Sequence, residues 1–89
     1  MTPLPDAPST ARTVRQVLVD ILGLPSESAL VDHANLFEQG LDSLGVVRFV
    51  TDVEAALQIQ LATEDLRAEL FEDLSRLTAH IDAQVRESA

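Results

Sequence analysis

Apolar residues recur at spacings of three and four along three separate stretches of this chain, and that period selects helices. In TARTVRQVLVDILGLP, residues 10–25, Val14, Val17, Leu18, Ile21 and Leu22 fall on one helical face. Between 42 and 58 the same pattern gathers Val46, Phe49, Val50, Val53 and Leu57, and between 73 and 87 it gathers Leu74, Leu77, Ile81 and Val85. No sheet is predicted. Boundary residues agree with the periods. Ser9 or Thr10 can cap a first helix, about 10–23, which Gly23 and Pro25 end. Asp42 opens the second helix, which runs to about Gln58. Thr63 can cap a short third helix in EDLRAE, with acids placed in its first turn, where the dipole favours them. Asp73 is the expected cap of the fourth, and Arg86 suits its negative end. The fold expected is all-α: a four-helix bundle of three main helices and one short one, with a long first loop.

Only Phe37, Phe49 and Phe71 are aromatic, so the core must be built from Leu, Val, Ile and Ala. At 89 residues the chain is one small domain, burying roughly 60–65% of its unfolded surface. Residues 1–9, MTPLPDAPS, hold three of the four prolines and are expected to be a disordered tail ahead of a domain spanning 10–87. Between the first two helices lies PSESALVDHANLFEQGL, which has no clean period. Leu30, Val31, Leu36 and Phe37 are expected to pin it to the core, with a single helical turn near Glu27 to Asp32. An unpatterned loop of this length in a small domain is often functional.

Charge narrows the classes of partner. Fifteen acids against six arginines and no lysine give a formal charge of −9. Such a surface repels phosphate backbones and anionic lipid, which argues against nucleic-acid and membrane roles, and it speeds encounter with basic partners. Without cysteine there is no disulfide, thiolate metal site or cysteine nucleophile. No basic region precedes an apolar run at the N-terminus, and no apolar stretch approaches spanning length. A soluble, cytoplasmic monomer is expected.

The segment FEQGLDSLGVVRF, residues 37–49, places Ser43 after a glycine turn at a helix start. Local physics alone reads Asp42-Ser43 as a cap. However, Asp42 already supplies the capping oxygen, which leaves the Ser43 hydroxyl free at the first helical position. Leu44 and Val47 lie off the buried stripe, so apolar groups are expected in solvent beside that hydroxyl. A phosphodiester formed there would have its charge stabilised by the helix N-terminus. No base is placed to activate Ser43, so another enzyme would have to make the bond.

Residues 36–61, LFEQGLDSLGVVRFVTDVEAALQIQL, resemble the segment around the attachment serine of acyl and peptidyl carrier proteins. The matching positions are Leu36, Phe37, Gly40, Asp42, Ser43, Leu44, Glu54 and Leu57. The similarity extends over about residues 10–86, including a first helix ending in Gly-Leu-Pro and a closing LFEDLSRLTAHI. The resemblance implies a non-enzymatic carrier in which Ser43 bears 4′-phosphopantetheine, taken from coenzyme A by a phosphopantetheinyl transferase. The imported thiol would hold acyl, polyketide or aminoacyl intermediates as thioesters. Further partners implied are a loading ligase or acyltransferase and downstream biosynthetic enzymes with basic patches. Asp42, Leu44, Val47, Arg48 and Glu54 would meet them.

Two positions depart from the fatty-acid carriers. Gly45 stands where those often have an acid or other polar residue, either for close approach of a partner or the arm or through simple tolerance of glycine. Arg48 stands where they place a glutamate, which favours a different partner set and a discrete carrier of a specialised pathway. The alternative is a small acidic interaction or regulatory domain with Ser43 only a cap. His33 and His80 lack metal-ligand spacing, and the acids lack the spacing and glycine of a calcium loop. A Ser43–His33–Asp hydrolase lacks the strand-to-helix elbow. No catalytic or metal residue is assigned.

Overall fold

The computed structural model describes residues 10–62, 64 and 66–88, leaving Ser88 without side-chain detail. Four helices follow one another: α1 Thr10–Leu22, α2 Ser43–Leu57, α3 Ala68–Phe71 and α4 Leu74–Ser88. No strand occurs among the described residues, so the all-α bundle stands. Residues 1–9 and Thr63 lie outside the described residues, and with them the expectations of a disordered tail and of caps at Ser9 and Thr63.

Each long helix buries the stripe that its period marks. Val14 and Leu18 of α1, Phe49 and Val53 of α2, and Leu74, Leu77 and Ile81 of α4 are at most 1% exposed. Phe49 meets Phe71 edge-on, with centroids 5.7 Å apart and rings at 83°, a geometry that sets positive ring edge against negative face. Around them Val17, Ile21, Leu22, Val46, Val50, Leu57 and Val85 are partly buried against the same core.

The helix ends show their causes. Gly23 takes φ +66°, and Leu24 N–H donates to the Val19 carbonyl at 3.0 Å, which closes α1 as a glycine stop does. At the end of α2 the left-handed position falls on Gln58 (φ 55°, ψ 48°), whose N–H donates to the Glu54 carbonyl. Asp73 caps α4: Oδ1 accepts from Ser75 N–H at 3.0 Å.

The long first loop is anchored by its backbone. Leu36 N–H donates to the Phe71 carbonyl at 2.8 Å, Leu74 N–H to that of Ala34 at 3.1 Å, and Ser75 N–H to that of Asp32 at 2.7 Å. Arg15 of α1 donates to the Leu30 carbonyl at 2.7 Å and pairs with the Asp32 carboxylate. His33 Nδ1 lies 3.2 Å from both carboxylate oxygens of Asp73. A short 3₁₀ turn at Glu27–Ala29 occupies part of the expected helical turn; Leu30 is already extended.

Three expectations are corrected. The third helix is one turn at Ala68–Phe71 rather than EDLRAE, and its N-cap, Arg67, makes no side-chain cap bond. A helix that short gains little from its own bonds, so packing of Phe71 decides where it forms. Val31 is 63% exposed, not pinned, because the anchors at Leu30 and Asp32 hold the backbone on either side of it. Phe37 is 39% exposed and only leans on Phe71, with centroids 6.1 Å apart.

Two outcomes follow. Gln58→Gly keeps the left-handed cap but relieves the strain, about 1 kcal/mol, that a β-carbon bears there, and raises the melting temperature by roughly 4–8 °C. Burial pulls the Asp73 carboxyl upward, but bonds from His33 and from the Arg76 and Ser75 N–H groups outweigh it, leaving the pKa lowered. Because the folded value lies below the unfolded one, the carboxylate stabilises the fold above about pH 4 and stops doing so as pH falls through the folded value. Urea melts should therefore show the advantage of wild type over Asp73→Asn shrinking at acid pH.

Candidate functional site

The approach to Ser43 is a tight, self-bonded turn. Asn35 Oδ1 accepts from Phe37 N–H at 3.0 Å and from Glu38 N–H at 3.3 Å, the side chain standing in for backbone. Gly40 N–H donates to the Phe37 carbonyl at 3.1 Å, and Leu41 N–H to that of Leu36 at 3.0 Å. Gly40 has φ +110°, a conformation that a β-carbon would strain. The turn returns Leu41 to the core at 5% exposure and leaves Asp42 extended just outside α2.

Asp42 is the cap. Its Oδ1 accepts from Gly45 N–H at 2.8 Å, and its carbonyl accepts from Val46 N–H at 2.9 Å. Ser43 follows as the first residue of α2, exposed, and its hydroxyl has no hydrogen-bond partner among the described residues. Leu44 is 79% and Val47 63% exposed, as their places off the stripe require.

Gly45 has a different reason from either considered in the sequence. It is buried, and a β-carbon there would sit 2.7 Å from Leu41 Cδ1, 3.3 Å from Asp42 Oδ1 and 3.4 Å from Ile21 Cγ2. Glycine is present because α1, the Leu41 side chain and the capping carboxylate converge on that point. A partner approaching from solvent does not meet it.

Beside Ser43 opens a cleft of about 390 Å³ lined by Phe37, Asp42, Ser43, Val46, Leu66, Ala68 and Phe71. A second recess of about 240 Å³ adjoins it through Val46 and Leu66 and is also walled by Val47, Val50 and Thr51. The walls are apolar apart from Asp42, Ser43 and Thr51. Sequence periodicity did not reveal this cleft, because Leu66 and Ala68 lie in the segment whose helix was misplaced.

The remaining candidates divide. Arg48 Nε is 3.4 Å from Asp52 Oδ2 and its Nη2 is 3.7 Å from Asp20 Oδ2, so its charge is already paired. Glu54 departs from the expected partner-facing set: Oε2 accepts from Leu61 N–H at 2.8 Å, tying the segment after α2 back onto the helix. His33 and Asp73 are in contact with each other but not grouped with Ser43, and His80 Nε2 is buried without a partner. Among the described residues no three His, Cys, Asp or Glu side chains could hold a metal ion. Among them, too, no helix is long and apolar enough to cross a membrane.

The site has what an attached phosphate group requires: an unengaged exposed hydroxyl, a helix N-terminus and open space beside an apolar cleft. The family model described as Phosphopantetheine attachment site matches residues 12–81. No curated protein and no solved structure matches the chain significantly.

The packing around Gly45 generates a test. Gly45→Ala gains up to about 1 kcal/mol of helix propensity, but overpacking against Leu41 costs about 1–3 kcal/mol. A lower melting temperature is expected; a higher one would show that Leu41 moves aside freely.

Proposed function

The chain belongs to the phosphopantetheine attachment family of acyl and peptidyl carrier proteins, and from that premise we propose that Ser43 is the residue that carries the group. Members of this family are non-catalytic carriers with 4′-phosphopantetheine as prosthetic group, and they serve phosphopantetheinyl transferases and biosynthetic enzymes. The observation that supports Ser43 is the division of labour at the start of α2, where Asp42 accepts the Gly45 N–H and leaves the serine hydroxyl exposed and unbonded.

When bound, the group supplies a thiol on a flexible arm, the chemistry a chain without cysteine lacks. The chain's residues act by presentation. Ser43 Oγ accepts the phosphopantetheinyl group from coenzyme A: a new P–O bond forms, the bond to the nucleotide's phosphate breaks, and the hydroxyl proton leaves to a base on the transferase. Among the described residues no base accepts a hydrogen bond from the Ser43 hydroxyl. The orphan N–H groups of the first turn favour the resulting phosphodiester charge. A tethered cargo then stays at high effective concentration near successive enzymes.

The carrier is read as a monomeric, cytoplasmic protein, and Arg48, standing where the fatty-acid carriers place an acid, points to a specialised pathway. Its cargo is an acyl, polyketide or aminoacyl group, received from a loading ligase or acyltransferase. The cap-only reading of Ser43 is disfavoured by the cap at Asp42.

Incubation with coenzyme A and a broad-specificity transferase, followed by intact mass measurement, tests the proposal. Wild type gains one phosphopantetheine mass, while Ser43→Ala gains none and melts within about 1 °C of wild type, because Asp42 still caps α2. An unmodified wild type would return the protein to the acidic interaction-domain reading.

A further inference from the structure

Between its last tie to α3 and α4 and the cap of α2, the chain makes a single turn, residues 36–41. Its near end is fixed twice by backbone: the Ala34 carbonyl accepts from Leu74 N–H, and Leu36 N–H donates to the Phe71 carbonyl. Ala34 and Leu36 are both buried, so Asn35 between them stands on a rigid base. At the far end Leu41 enters the core and Asp42 caps α2.

Within the turn the later N–H groups find carbonyls. Gln39 N–H is shared between Asn35 and Leu36, at 3.3 and 3.1 Å, while Gly40 donates to Phe37 and Leu41 to Leu36. The earlier two, on Phe37 and Glu38, point back along the chain as the first N–H groups of a helix do. Asn35 Oδ1 accepts from both, at 3.0 and 3.3 Å. These contacts are exposed, so water satisfies the two donors once the oxygen is removed. Water fixes no direction, however. What Oδ1 supplies is chiefly the angle at which the turn leaves its base, and with it the place of Phe37 on the wall of the cleft that Ser43 also lines.

We propose that Asn35 is a positioning residue for group transfer to Ser43, acting through the turn and Phe37 on the approach to the serine oxygen. The proposal rests on the carrier reading and adds a side chain that does not itself line the cleft. The step is unchanged: Oγ gains a bond to phosphorus, the bond to the nucleotide's phosphate breaks, and the proton leaves to the transferase. Such a step needs its reacting atoms held roughly 3–3.5 Å apart, and a small misplacement costs rate more than binding.

Steady-state loading by a broad-specificity transferase with coenzyme A tests this, at a temperature where melting curves and far-UV spectra show every variant folded. Asn35→Ala lowers kcat about fivefold to tenfold and leaves KM within about twofold, because the surface offered to the transferase is retained. Asn35→Asp keeps an oxygen at the same reach and restores kcat to within about twofold of wild type. Asn35→Gln carries its oxygen one methylene further and does not restore it. Hydrogen exchange supplies a readout independent of loading: the Phe37 and Glu38 amides exchange at least about threefold faster in Asn35→Ala, while the Gly45 amide keeps its wild-type rate. Wild-type kcat or unchanged exchange in Asn35→Ala overturns the positioning role and leaves the carrier function standing. So does a loss that Asn35→Asp fails to restore, or that Asn35→Gln restores equally well. A wild-type chain that gains no phosphopantetheine removes the carrier reading itself.

Discussion

The hydrogen bond from Gly45 N–H to Asp42 Oδ1, 2.8 Å long, is the contact on which the site depends. It satisfies an orphan donor of α2 with the residue before the serine, so the serine oxygen is not consumed by the helix it begins. Glycine at 45 is favoured for a separate reason, the lack of room for a β-carbon beside this bond. Leu41 and Ile21 press so closely on that position that α1–α2 packing and the helix start share one point of the structure.

The cleft depends on anchors further away. The loop is held against α3 and α4 by the Leu36–Phe71, Ala34–Leu74 and Asp32–Ser75 backbone bonds, which set Phe37 against Phe71 on one wall. Opposite, Glu54 grips Leu61 N–H and draws the segment after α2 across the helix, where Leu66 joins Val46. With a core of modest size, bonds of this kind hold irregular chain in place where no helix spans the gap. Arg15 adds to them by joining α1 to both Leu30 and Asp32.

Helix positions were legible because a period of 3.6 is imposed on every residue of a helix, and the stripes at 14/18, 49/53 and 74/77/81 needed only that rule. So was the free hydroxyl, since capping chemistry is local. What escaped had causes distant in sequence. Whether Val31 or Leu30 turns inward depends on where Arg15 takes its carbonyl partner. Glu54 looked like an exposed helix acid until the chain returned to it seven residues later. Gly45 looked like a tolerated weakness, and only the arrival of Leu41 and Ile21 explains it. The third helix moved because Phe71, packed on Phe49, outweighs the local preferences of EDLRAE.

The central claim is that the outward oxygen at the head of α2, and no other hydroxyl of the chain, bears the arm. Fragmentation of the loaded protein's peptides, locating the added mass residue by residue, tests this most directly. The account predicts that the whole modification falls on Ser43. Modification of Ser26, Ser28 or Ser75 instead would contradict it.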